Sequence, residues 1–86
     1  MPKISEFFGI AIYMYYAEHA PPHFHAWYGE HEVLVRIDTL GLLRGSLPRR
    51  ALALVLEWAA LHREELQADW DRARNRQGLA PIDPLD

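Results

Sequence analysis

His23-Phe24-His25-Ala26-Trp27-Tyr28-Gly29-Glu30-His31-Glu32-Val33-Leu34-Val35-Arg36-Ile37-Asp38 is the stretch on which the fold turns. Two runs of strand-forming residues flank Gly29-Glu30, and glycine at the first central position suits a two-residue type II′ turn. With those two residues as the loop, the pairing follows. Tyr28 faces His31, Trp27 faces Glu32, Ala26 faces Val33, His25 faces Leu34, Phe24 faces Val35 and His23 faces Arg36. Val33, Val35 and Ile37 alternate with Glu32, Leu34 and Arg36, so the first set belongs to the core. Phe24 and Ala26 join it. His23, His25 and Trp27 then share the opposite face with Glu32, Leu34 and Arg36. A slip of one residue would turn the histidines inward.

Upstream, Phe8 to Tyr16 is uncharged and rich in β-branched and aromatic residues. It reads as one central strand, apolar on both faces: Ile10, Ile12 and Met14 on one, Ala11, Tyr13 and Tyr15 on the other. Ala17 to Pro22 contains two consecutive prolines and reads as a rigid loop. Downstream, Thr39-Leu40-Gly41 is a turn and Leu42-Leu43-Arg44 a short strand that Gly45 ends. Ser46 is positioned to cap a helix, with Pro48 in its first turn. Helix-favouring residues run from Arg49 to about Arg74. Leu52, Val55, Leu56, Ala59, Leu66, Trp70 and Ala73 form a core stripe, and Leu54, Trp58 and Leu61 a second one. A bend near His62-Arg63 would divide this segment into two helices. Gly78 follows a plausible stop, and Leu79 to Asp86 is a proline-punctuated acidic tail.

The expected fold is therefore α+β: a small antiparallel sheet of three or four strands packed against a long C-terminal helical segment. It is one domain over residues 1–86, with strands mainly in 1–45, helix in 46–76 and an extended tail in 77–86. At 86 residues a second core is out of reach. Half the residues are hydrophobic, too many for a disordered chain. No run approaches the roughly 20 apolar residues that span a bilayer, and Met1-Pro2-Lys3 leads into no signal-peptide pattern. A cytoplasmic protein with no membrane association is expected. The absence of cysteine excludes disulfides, thiolate metal sites and a cysteine nucleophile. A net charge of −3 argues against a general polyanion binder.

Four of the five histidines lie between His19 and His31. His23 and His25, two apart on a strand, point the same way with Cα atoms roughly 6–7 Å apart. His19 precedes them across the Pro-Pro loop. Two chemistries fit. In the first, His19, His23 and His25 ligate a divalent transition metal such as zinc, with Glu30, Glu32 or water as a fourth ligand. In the second, His23 and His25 act as general acid and base while Arg36 stabilises a phosphate, the minimum set for a metal-free ribonuclease. Trp27, Tyr28 and Glu30 are then candidate binding residues, the aromatics as stacking surfaces for a base. Histidines on an exposed sheet face also occur in purely structural roles. His62 reads as a core-edge residue.

Three segments carry a family resemblance: Pro2-Lys3-Ile4-Ser5 with Phe8-Gly9-Ile10, then His19-Ala20-Pro21-Pro22-His23-Phe24-His25-Ala26-Trp27-Tyr28-Gly29-Glu30, then Leu47-Pro48-Arg49-Arg50-Ala51-Leu52 running into Glu57-Trp58 and His62. Together they resemble the prokaryotic domain-of-unknown-function family numbered 4160. Members are small bacterial proteins whose genes tend to lie beside a second small gene, which has suggested toxin–antitoxin-like pairs. The resemblance implies a small partner protein encoded next door and supplies no assigned catalytic residues. Two functions are therefore expected in competition. One is a protein-binding component of a two-gene module, with Leu54, Trp58 and Leu61 as partner surface and the histidine face as a ligand or RNA surface. The other is a metal-binding protein or small hydrolase or ribonuclease built on His19, His23 and His25. A homo-oligomer is compatible with either.

Overall fold

Five strands form one antiparallel sheet in chain order: β1 (Lys3–Phe7), β2 (Ile10–Tyr13), β3 (His23–Tyr28), β4 (His31–Arg36) and β5 (Leu42–Gly45). Two helices follow, α1 (Arg49–Leu61) and α2 (Arg63–Arg74). This is a computed structural model, and it describes residues 2–86. The architecture is the expected α+β, with five strands rather than three or four, and the helical segment is two helices divided at His62, where the sequence allowed a bend.

The central hairpin has the register read from the sequence at all six pairs, from His23↔Arg36 to Tyr28↔His31. Gly29 takes φ +60° and Glu30 stays out of the positive region, the signature of a type II′ turn. The extra strand comes from the other hairpin. Phe7 pairs with Ile10, which leaves Phe8 and Gly9 as a two-residue loop with φ of +50° and +79°. Both positive angles make this a type I′ turn. The run from Phe8 to Tyr16 is thus not one strand: it holds a turn, the four residues of β2 and the start of a loop. The turn was hard to see because its first residue is a phenylalanine, where asparagine or glycine is usual. A bulky side chain in the left-handed region costs about 1–2 kcal/mol. A bulge between Lys3 and Ser5 also breaks the period-two pattern of β1.

One face of the sheet is fully covered. Ile10, Ile12, Phe24, Ala26, Val33 and Val35 have no exposure. Trp58 is equally buried against them, with its ring 5.3 Å from Phe7 and 5.8 Å from Phe24. The inward face of α1 runs through Ala51, Val55, Trp58 and Ala59. Trp58 therefore belongs to the core and not to a second stripe with Leu54 and Leu61, of which Leu61 is 68% exposed. The break at His62, with φ −122° and ψ 27°, is the reason. It frees α2 to aim Leu66, Trp70 and Ala73 inward by itself, so α1 need not share α2's phase. Ser46 does not cap α1. Its N–H bonds the Glu32 carbonyl at 3.0 Å, which ties it to the sheet, and α1 begins after Pro48 without a side-chain cap.

The tail has no regular structure but is anchored. Buried Ile82 donates its N–H to the Ile4 carbonyl at 2.8 Å, and the Trp58 indole N–H donates to the Asp83 carbonyl at 2.8 Å. Asp69, with no exposure, accepts from Ala80 N–H at 2.9 Å and from Arg72 at 2.8 Å. The tail so occupies part of the β1 edge, which blunts it. The β5 edge carries two exposed leucines, Leu42 and Leu43. No helix among the described residues is long and apolar enough to cross a membrane.

Two predictions follow from these contacts. Gly45 takes φ +77°, and a Cβ there would stand 2.1 Å from the Glu32 carbonyl oxygen. Gly45→Ala should lower stability by about 2 kcal/mol or more, read from the urea midpoint. Asp69→Ala removes the Ala80 hydrogen bond that ties α2 to the tail, along with the Arg72 contact within α2. It should cost about 2 kcal/mol and speed amide hydrogen exchange at residues 80–83 ahead of the sheet.

Candidate metal centre

The histidine face is not open to solvent at its His23 end. His23 is 6% exposed and His25 9%. The loop that follows β2 folds back over them, and Trp70 of α2 reaches His23 with a ring separation of 5.3 Å. Tyr15, stacked on Tyr13, meets the His25 ring edge-on at 4.5 Å. Burial pushes the Tyr15 hydroxyl above its ordinary pKa. Tyr16, expected in the sheet, lies beyond it, 40% exposed, and donates its hydroxyl to the Gln77 carbonyl at 3.1 Å.

The loop turns at Ala17, which takes φ +62°, and this delivers Glu18 to the two histidines. The Glu18 carboxylate lies 2.5 Å from His25 Nε2 and 3.6 Å from His23 Nε2. One ligand atom from each of Glu18, His23 and His25 falls within 4.8 Å of the others. Ligand atoms around a tetrahedral zinc at about 2.0–2.2 Å stand roughly 3.4 Å apart, so small rotations close the set.

The outer contacts fix the ring orientations. His23 Nδ1 sits 2.8 Å from the Pro21 carbonyl, which can only accept, so that nitrogen carries the proton. Nε2 is then left with its lone pair, buried and without a hydrogen-bond partner among the described residues. It faces the Glu18 carboxylate. On His25, Nδ1 lies 2.9 Å from the Glu32 carboxylate. Glu32 stands opposite Trp27, hence diagonal to His25 on the same face, within side-chain reach. A backbone carbonyl behind one imidazole and a carboxylate behind the other is the arrangement that holds metal-ligating histidines in their tautomer. Glu18 and Glu32 bring two carboxylates to the pair of imidazoles, and a metal ion would displace the proton from the nitrogen it binds.

The structure distributes the remaining candidates elsewhere. His19 is exposed and stands outside the triad; Glu18, its neighbour, occupies the expected third place. Glu30 is exposed in the hairpin turn, beyond the end of β3 and so about 10 Å or more along the strand from His25, out of reach as a fourth ligand. Arg36 pairs with His23 in register, but its guanidinium is bidentate on Asp38, at 2.6 and 3.0 Å. Hydrogen bonding to Arg36 holds the Asp38 carboxyl below its usual range. Trp27 is half-buried on the histidine face, whereas Tyr28 lies on the core side at the far end of β3. His62 is a core-edge residue, with its ring 5.5 Å from Trp58 and its Nδ1 at 2.5 Å from Glu65.

Glu18 is the residue that sequence reasoning did not place. Strand register locates His23, His25 and Glu32 but carries no information about a loop residue. The one local cue is that Glu18 is the acidic residue in the segment Ala17–Pro22 that must pass back over the strand.

No curated protein and no solved structure matches the chain. A family model does: the one described as a domain of unknown function, DUF4160, matches residues 9–71. That span contains Glu18, His23, His25 and Glu32 and nearly everything from β2 to α2, and the chain belongs to the DUF4160 family.

Proposed function

We propose that this chain is a divalent-metal-binding protein whose ligands are Glu18, His23 and His25. The observation that supports the reading is His23 Nε2, a buried lone pair with no hydrogen-bond partner among the described residues, aimed at a carboxylate and a second imidazole. A buried acceptor left alone costs about 1–3 kcal/mol, and a cation removes that cost. Zinc suits the mixed imidazole and carboxylate donors. Three protein ligands leave a position for water or substrate, the condition for hydrolytic use, RNA included. A metal-free acid–base pair has less support. Arg36 is committed to Asp38, and the histidine nitrogens other than His23 Nε2 already face Pro21, Glu18 or Glu32.

A second reading, a partner-binding component of a two-gene module, rests on other residues. Trp58 is withdrawn into the core, so the Leu54-Trp58-Leu61 stripe does not support it. Exposed Phe8 and Tyr28 do, at 59% and 38%.

Two expectations test the metal reading. Protein purified without an affinity tag should bind one equivalent of zinc by calorimetry. His23→Ala, His25→Ala and Glu18→Ala should each weaken it by more than about a hundredfold, while His19→Ala leaves it unchanged. Stoichiometric zinc retained by the His23→Ala/His25→Ala double variant would refute the assignment. Glu32→Gln, which touches only the far nitrogen of His25, should weaken zinc about 10–100-fold without changing the stoichiometry.

A further inference from the structure

We infer that the groove between the β1–β2 turn and the start of α1 is a docking site for a partner-protein segment that carries an apolar side chain flanked by carboxylates. The inference rests on the partner-binding reading and is independent of the metal centre. The groove, about 320 Å³, is lined by Phe8, Tyr28, Pro48 and Leu54, with Arg50 among its walls. It lies where the covered face of the sheet runs past α1: Tyr28 pairs with Ile10 on that face, at the open end of β3.

Its apolar walls are built to be seen. Phe8 stands 59% exposed on a turn whose left-handed backbone disfavours a bulky residue, and Tyr28 is 38% exposed across from it. The Tyr28 ring packs beside Gly9, the other turn residue, at a distance that even a Cβ there would meet at an ordinary 3.5 Å. A trough open on one side encloses a protruding side chain and leaves the rest of its segment on the rim, so a peptide fits it better than a free small molecule.

The rim decides the charge of that segment. Arg49 and Arg50 are exposed, and neither has a carboxylate within 4.0 Å among the described residues. α1 starts here with no side-chain cap and no acidic residue in its first turn, so its positive end is uncompensated. This is a cationic margin on a chain whose net charge is −3. An aromatic pair beside arginine is also the composition of interface anchor points. A segment with Asp or Glu beside Leu or Phe complements both features.

The test is selection from displayed short random peptides on immobilised full-length protein, followed by fluorescence anisotropy of the enriched peptides. Expected peptides carry Leu or Phe next to Asp or Glu. Their affinity should fall at least about tenfold with Arg50→Glu and with Leu54→Glu, both checked for folding by circular dichroism. Replacing the peptide's acids with Lys should restore binding to Arg50→Glu. Enriched peptides that are basic, or that bind both variants unchanged, overturn the groove assignment and leave the partner reading standing. No enrichment at all overturns both. Self-association that Leu54→Glu abolishes assigns the groove to a second copy and also overturns the proposal. Unaltered zinc stoichiometry in Arg50→Glu separates these outcomes from the metal centre.

Discussion

The pairing of β3 with β4 is the constraint on which the molecule depends. Its register is fixed by Gly29, whose positive φ closes a two-residue turn and leaves no slack between the strands. Everything else is counted from it. Phe24, Ala26, Val33 and Val35 reach the core because they share a parity with one another across that turn. His23, His25 and Glu32 gather on the other face for the same reason. A slip of one residue would bury both imidazoles among leucines and valines and push the core side chains into water. The apolar set and the polar set thus enforce the same pairing from opposite sides, so neither can drift without the other.

How much of this was legible follows from how local each signal is. The central hairpin was readable because a glycine turn and strict alternation agree over twelve strand residues. The β1–β2 hairpin was not, because Phe8 occupies a left-handed position that sequence reasoning assigns to asparagine or glycine. The phase of α1 was misread for another reason. Alternatives of helical spacing differ by one residue, and the two stripes were drawn through one continuous phase although a bend near His62-Arg63 was also legible; the break at His62 lets α1 and α2 take separate phases. At the site, the strand residues were placed correctly and the loop residue was not. Glu18 arrives through the turn at Ala17, a tertiary placement that periodicity does not encode.

The two halves of the chain divide the labour. The strands supply the histidines, and the helices supply the lid: Trp70 closes over His23, while Tyr16 fastens the loop to Gln77 just beyond α2. Buried Asp69 then ties α2 to the tail, and the tail bonds back to Ile4 and Trp58. Covering the imidazoles in this way excludes water from His23 Nε2, which raises the cost of leaving that nitrogen unpaired. In the proposed reading, a divalent cation held by Glu18, His23 and His25 would give that nitrogen its partner.

The most direct test of this account is the zinc K-edge absorption spectrum of the tag-free protein loaded with one equivalent of zinc. The account predicts two imidazole nitrogens and at least one carboxylate oxygen in the first shell, at about 2.0–2.1 Å, with the imidazole scattering lost in His23→Ala/His25→Ala. A first shell of oxygen alone, or an imidazole signal that survives in the double variant, would contradict it.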